Sequence, residues 1–223
     1  PLAHIFNLSL ASNTFPSAFK ISLVFPLHKK GNSKDLSNHR AISLSSCFAK
    51  VFEQIIFDRV YAHVSNRLSP HQHGFVKNKS TLTNLLNFTE DVYEAFSCKK
   101  QMDVIYLDFE KAFDKVNHDV LLAKLATFGF HNNALQFFSS YLRERKQYVQ
   151  YCGKTSSLFD APSGVPQGSK LGPLLFLLCI DDISTYIRYS HLLLFADDLK
   201  LYRPIGSLDD CKLLQADLDA ISN

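Results

Sequence analysis

The chain has 223 residues, 46% of them hydrophobic and 20% charged, enough for a sizeable core and too apolar for a disordered polymer. Five scattered cysteines with no CxxC pair exclude a disulfide framework and a zinc-ribbon spacing and point to a reducing compartment, and the longest apolar run, LGPLLFLLCI, is too short to cross a bilayer. The net charge of +3 is uneven: residues 1–80 hold ten Lys/Arg against three acids, a surplus of +7 that leaves −4 for the remainder, so a polyanion partner and a cation site compete with the plainer reading of a solvated basic surface.

In chain order, ISLVFPL (residues 21–27) reads as a short strand, and HKKGNSKDLSNHR as a polar, basic turn or hairpin. From Ser45 to about Leu68, apolar Phe48, Val51, Phe52, Ile55, Ile56 and Val60 recur at steps of three and four, which predicts a helix with that face buried. RLSPHQHGF breaks it. A second helix is expected from Ser80, a good N-cap, to Phe96. MDVIYLDF reads as a buried strand, followed by helices near 118–128 and 131–143 on either side of Gly129. QYVQYCG is strand-like. APSGVPQGSKLGP is a Pro/Gly loop feeding an apolar helix over about 170–187. HLLLFA and LKLYRPI are two short strands joined at Asp197 and Asp198, and a last helix follows Ser207. The irregular alternation predicts an α+β fold, helices on one face of a small sheet. The chain opens on Pro1 without a methionine and stops at Asn223 inside the expected last helix, so it reads as a piece of something longer.

Three Asp-Asp pairs occur. Asp209-Asp210 follows Ser207 at a helix start, where acids suit the dipole, and Asp181-Asp182 closes an apolar helix where it is easily solvated. Asp197-Asp198 differs because apolar strands flank it on both sides. Packing of those strands would hold the turn rigidly, and adjacent like charges there oppose folding unless a divalent cation offsets them. An exposed hairpin turn is the alternative. Asp108 ends another buried strand. If the two strands are neighbours, Asp108 and Asp197 converge, and three carboxylates from two strand ends suit oxygen-seeking Mg²⁺. Glu110 and Asp114 lie past the strand and are expected to face solvent. In SGVPQGSKLGP, Gly164, Gly168 and Gly172 would let backbone approach a ligand, and Gln167 would bond a base or sugar; the alternative is a connecting loop without a Walker-type spacing.

Together these stretches resemble the reverse transcriptase domain of non-LTR (LINE-like) retrotransposons, over nearly the whole chain and in the same order. FPLHKKGNSKDLSNHRAISLSSCFAKVFEQII resembles the fingers segment, HQHGFVKNKST the Q-x-GF…ST stretch, LDFEKAFDKVNHDVLLAKL and GVPQGSKLGPLLFLLCIDDI the two palm motifs, and FADD the YxDD turn. The resemblance implies a right-hand polymerase: a fingers-like part over residues 1–100 and a palm over 101–223, with the thumb absent. It implies an RNA-directed DNA polymerase that takes an RNA template, a DNA primer and deoxynucleoside triphosphates, with no membrane. Catalysis would use two Mg²⁺ ions, Mn²⁺ being possible, on Asp108, Asp197 and Asp198, helped by the Phe109 carbonyl. Phe113 matches the aromatic that blocks a ribose 2′-hydroxyl, or serves the core. Gln167 and Gly168 match the loop beneath the incoming nucleotide. Lys30 and Arg40 match the triphosphate grip, with Lys29 open in place of Lys30, and the remaining basic charge would track template phosphates. The nucleus is implied, although the chain has no targeting cluster.

Phe195 stands where the family commonly has Tyr, Ala41 where it has Pro, and Phe19 where it has Trp. Alternatives are an inactive remnant that at most binds nucleic acid, and an RNA-dependent RNA polymerase, against which Phe113 and GVPQGS speak. Oligomeric state is not legible.

Overall fold

The structure, a computed structural model, describes residues 1–222, without the side chain of residue 37. Residue 223, expected inside the last helix, lies outside the described residues. In chain order the elements are α1 (Leu2–Ala11), β1 (Ile21–His28), β2 (His39–Leu44), α2 (Cys47–Val64), α3 (Thr81–Ser97), β3 (Gln101–Asp108), α4 (His118–Thr127), α5 (Asn133–Leu142), β4 (Arg145–Tyr151), β5 (Lys154–Thr155), β6 (Phe159–Ala161), α6 (Gly172–Ile180), β7 (His191–Phe195), β8 (Asp198–Ile205) and α7 (Leu208–Ser222). They fold into two compact units, each built from two chain segments: Pro1–Val64 with Lys111–Cys179, and Ser65–Glu110 with Ile180–Asn223.

The first unit carries a five-stranded mixed sheet. β1 pairs antiparallel with β2 and parallel with β4, and β5 and β6 pair with β4. Its core is aromatic. Phe52 of α2 stacks on Phe6 at 4.5 Å and on Phe15 at 5.7 Å, and Phe15 meets Tyr141 edge-on at 4.9 Å. Each fully buried ring of this kind contributes roughly 1.5–3 kcal/mol of burial plus a smaller geometric term. The apolar periodicity of α2 gave the right element and misplaced its buried face. Ala49, Phe52, Glu53, Ile56, Val60 and Val64 point inward, while Phe48, Val51 and Ile55 are exposed. A carboxylate takes an inward position because it has fixed partners there, described below. The expected helix over 170–187 ends at Ile180 and gives way to a 3₁₀ turn over Asp181–Tyr186.

The second unit is built on an antiparallel sheet of order β3-β8-β7. Leu192, Leu194, Leu199 and Leu201 turn to one face, against Leu214 of α7, with Ile105, Leu107, Ile183 and Leu218 completing that cluster. The other face meets α3 through Phe88, edge-on to Tyr202 at 5.0 Å, and through Asn84, which donates to the Leu194 carbonyl at 3.1 Å. This sheet therefore has helices on both faces, not on one. α3 starts at a Ser80/Thr83 capping box, as the N-cap expectation requires, and leaves Leu82, Leu85, Leu86 and Phe96 exposed. α7 starts at a second capping group. Hydrogen bonds from Arg203, the Gly206 N–H and the Ser207 hydroxyl hold the Asp210 carboxyl down at about 2. Asp181, expected to be merely solvated, accepts the Ser69 N–H at 2.8 Å and ties the turn after α2 to this unit. Among the described residues no helix is long and apolar enough to cross a membrane.

Candidate active site

The strands bearing the acids are neighbours. In the β3–β8 register Asp108 lies directly opposite Asp198, and Phe195 of β7 lies opposite Asp198 on its other side. Residues opposite one another on an antiparallel pair have Cβ atoms roughly 4.5–5.5 Å apart, and like charges in that position destabilise the pair. The cross-strand partner of Asp108 is thus Asp198, whereas Asp197 occupies the two-residue turn between β7 and β8. Asp108 and Asp198 are exposed, Asp197 is half-buried, and Phe109, just past Asp108, is partly exposed. Leu107 and Leu199, one residue from each paired acid, are held in the apolar cluster, so the sheet pins the acid-bearing backbone while the carboxylates reach solvent.

All three ligands offered are carboxylate oxygens, the donor set a hard divalent cation takes. Among the described residues no three His, Cys, Asp or Glu side chains already stand as a metal cage. What the backbone supplies is a facing pair and a third acid in the adjoining turn. Beside the pair opens a cavity of about 550 Å³ lined by Tyr106, Asn84, Lys200, Thr81 and the two paired aspartates among others. The Lys200 ammonium donates to Asn84 Oδ1 at 2.9 Å and lies 4.8 Å from the Phe88 ring centre, and its burial lowers its pKa.

The turn is gripped by residues sequence reasoning did not single out. Residues 71–73 run alongside β7: the Leu194 N–H donates to the His71 carbonyl at 3.0 Å and the His73 N–H to the Leu194 carbonyl at 2.9 Å. Gln72 is buried, and its side-chain amide bonds both the N–H and the carbonyl of Ala196. Gly74 is obligatory by space, since a Cβ there would fall 2.3 Å from the Ala196 nitrogen. The only sequence signal for this was the resemblance of HQHGF to a family stretch.

In the other unit the predicted loop residues meet their own backbone. Gln167 donates to the Asp114 carboxylate at 2.8 Å, so Asp114, exposed as expected, has an internal partner. The Gln167 carbonyl accepts the Ser43 N–H at 3.1 Å. Gly168, at φ 95°, places its missing Cβ 2.6 Å from the Ser43 carbonyl, so the close approach its glycine permits is to β2. Phe113 stacks on Phe176 of α6 at 4.5 Å. Lys30, past the end of β1, and Arg40, in β2, are both exposed. Two of the basic residues are structural: Lys20 is buried 3.7 Å from Glu144, and Lys79 donates to the Pro70 and Gln72 carbonyls.

The start of the helix after this loop is anchored by Glu53, also missed because it sat among the apolar positions of α2. Its Oε2 accepts the Lys170 N–H at 2.7 Å and its Oε1 the Tyr141 hydroxyl at 3.3 Å. Burial raises the Glu53 pKa, while the Lys170 N–H and the charge of buried Arg145 oppose that rise. Arg145 donates to the Tyr141 carbonyl at 3.0 Å and lies over the Tyr141 ring.

Over residues 27–221 the chain matches the family described as reverse transcriptase (RNA-dependent DNA polymerase). It is 31% identical over 210 residues to a probable RNA-directed DNA polymerase from transposon BS of Drosophila melanogaster, across 90% of this chain and 23% of that protein. It is 32% identical over 188 residues to the RNA-directed DNA polymerase from mobile element jockey of the same organism, across 83% of this chain and 20% of that one. The chain thus spans under a quarter of the length of these curated relatives. Among solved structures it is similar to apo telomerase from Candida tropicalis truncated from the C-terminal domain, with a TM-score of 0.62 and 16% identity, across 100% of this chain and 51% of that one; the likeness is one of fold.

Proposed function

The chain belongs to the reverse transcriptase family, in the company of non-LTR, LINE-like elements and with the α+β fold of polymerase fingers and palm, and on that premise we propose that it adds deoxynucleotides to a DNA primer on an RNA template. The family works with divalent metal and nucleic acid. The observation that carries the reading is the register that sets Asp108 opposite Asp198 with Asp197 in the joining turn. Asp108, Asp197 and Asp198, with the Phe109 carbonyl, would hold two Mg²⁺ ions, or Mn²⁺, which when bound activate the primer hydroxyl and neutralise the triphosphate.

The residues themselves contribute placement. The sheet fixes the backbone of the acids, so little reorganisation is needed when charge develops at the phosphate. Gln167, steadied by Asp114 and Ser43, and Gly168 would shape the floor under the incoming nucleotide. Phe113, steadied by Phe176, would exclude a 2′-hydroxyl. Lys30, or Lys29, and Arg40 would grip the triphosphate. In this reading the fingers-like part falls within residues 1–100 and the palm within 101–223, a division that cuts across both compact units, and the workplace is the nucleus.

The test is Mg²⁺-dependent primer extension on an RNA template by the chain. Asp197→Ala should lower extension by about 10³-fold or more, the scale lost when charge-stabilising groups are removed. Extension by Asp197→Ala equal to the parent's refutes the site. No extension by the parent, with metal-independent binding to nucleic acid, selects the inactive remnant instead. Preference for ribonucleotides selects an RNA polymerase.

A further inference from the structure

We propose that Gln72 is a positioning residue for the catalytic carboxylates: its buried amide clamps the backbone of Ala196 and so fixes where Asp197 and Asp198 sit. This rests on the metal-site reading above and deepens it. Gln72 touches neither substrate nor metal; it acts through the turn.

Three hydrogen bonds define the clamp. Gln72 Oε1 accepts from the Ala196 N–H at 2.9 Å and from the Gly74 N–H at 2.8 Å, and Nε2 donates to the Ala196 carbonyl at 3.3 Å. Gln72 is 2% exposed and Ala196 5%, so water does not replace these bonds. A buried peptide group without a partner is costly, and Ala196 has both of its groups met by one side chain. A primary amide combines a two-fold acceptor with a separate donor while staying neutral at every pH. A carboxylate would set negative charge against the Ala196 carbonyl, and an apolar group would strand both.

The turn needs holding. Ala196 has φ 55°, in the left-handed region that a residue with a Cβ disfavours. The clamp is itself fixed on its far side. Lys79 donates to the Gln72 carbonyl at 2.9 Å, residues 71 and 73 bond Leu194, and Gly74 leaves the room for this approach. The acids next to Ala196 therefore inherit a position set from residues 70–79, about 120 positions earlier in the chain.

Two readouts separate positioning from mere stability: Mn²⁺ binding by electron paramagnetic resonance, and amide hydrogen exchange over residues 192–199, both on the full chain without nucleic acid. Gln72→Leu should weaken Mn²⁺ binding about 10-fold or more, as removal of groups that orient metal ligands does, and speed exchange at Ala196 by a similar factor. Leu214→Ala, which loosens the opposite face of the same sheet, serves as the control and should change Mn²⁺ affinity less than about 2-fold although it loses stability. Unchanged exchange in Gln72→Leu overturns the proposal. So does a loss of affinity in Leu214→Ala as large as that in Gln72→Leu. Asp108→Asn reports on the site alone: if it binds Mn²⁺ like the parent, the metal-site reading fails, and the exchange result still decides whether Gln72 holds the turn.

Discussion

The Asp197-Asp198 turn and the Gln167-Gly168 loop are both held from outside their own segment, by opposite kinds of chemistry. The turn is gripped by a neutral amide, Gln72, between strands packed in an apolar cluster. The loop runs into a helix start gripped by a buried carboxylate, Glu53, within reach of Tyr141 and Arg145. A neutral clamp adds no charge next to acids that already repel one another, and its strength does not change with pH. A charged clamp makes stronger hydrogen bonds but carries a desolvation cost and titrates. The difference follows from the surroundings: a negative clamp beside Asp197 and Asp198 would add to their repulsion, while one facing backbone N–H groups and an arginine is tolerated.

Glu53→Ala breaks the charged side and should have the largest effect. It strands the Lys170 N–H and the Tyr141 hydroxyl, costing about 1–3 kcal/mol as for a buried donor left without its acceptor. Urea unfolding checks it, and a loss under about 1 kcal/mol would mean that Glu53 is a bystander. Titration comes next. Burial raises the Glu53 pKa above the ordinary 4.5, so the folded state holds its proton more tightly than the unfolded chain. Its contribution is then fully present below 4.5 and is lost as pH rises through the raised value. Relative to Glu53→Gln, which cannot titrate, the parent should lose stability as pH climbs from 4.5 through the raised value. Parallel curves for the two proteins would remove titration from the charged clamp. Gln72→Leu should show no comparable pH dependence relative to the parent.

Much of the framework was legible because it rests on local rules. Ser80 caps α3, α7 starts after Ser207 with Asp209 and Asp210 in its first turn, and Asp108 ends a strand, each from spacing and residue type alone. Both clamps escaped for one physical reason: a buried polar side chain has no periodic signature. Glu53 lay in a helix whose apolar residues suggested a different inward face, and the spacing Ala49, Phe52, Glu53, Ile56, Val60 became meaningful only once the carboxylate had partners. Gln72 lay in a stretch broken by Pro70 and Gly74, where nothing local says that a side chain turns inward. That the ladder partner of Asp108 is Asp198, with Asp197 in the joining turn, depends on a one-residue register that only the tertiary fold sets.

The smallest expected effect bears most directly on the neutral clamp. Ala196→Gly removes the cost of φ 55°, but it also removes a buried methyl group and gives the unfolded chain more freedom. These contributions are each about 0.5–1.5 kcal/mol and oppose one another, so stability should change by less than about 1 kcal/mol. The information lies in the coupling. If Gln72 holds the strained turn, the effect of Ala196→Gly must depend on whether the amide is there, because without it an alanine turn relaxes and glycine has less strain to relieve. A double-mutant cycle of Ala196→Gly with Gln72→Leu should then show an interaction of about 0.5 kcal/mol or more. Additivity within about 0.3 kcal/mol would mean that clamp and turn are energetically separate, and that the hairpin keeps its shape by strand packing alone.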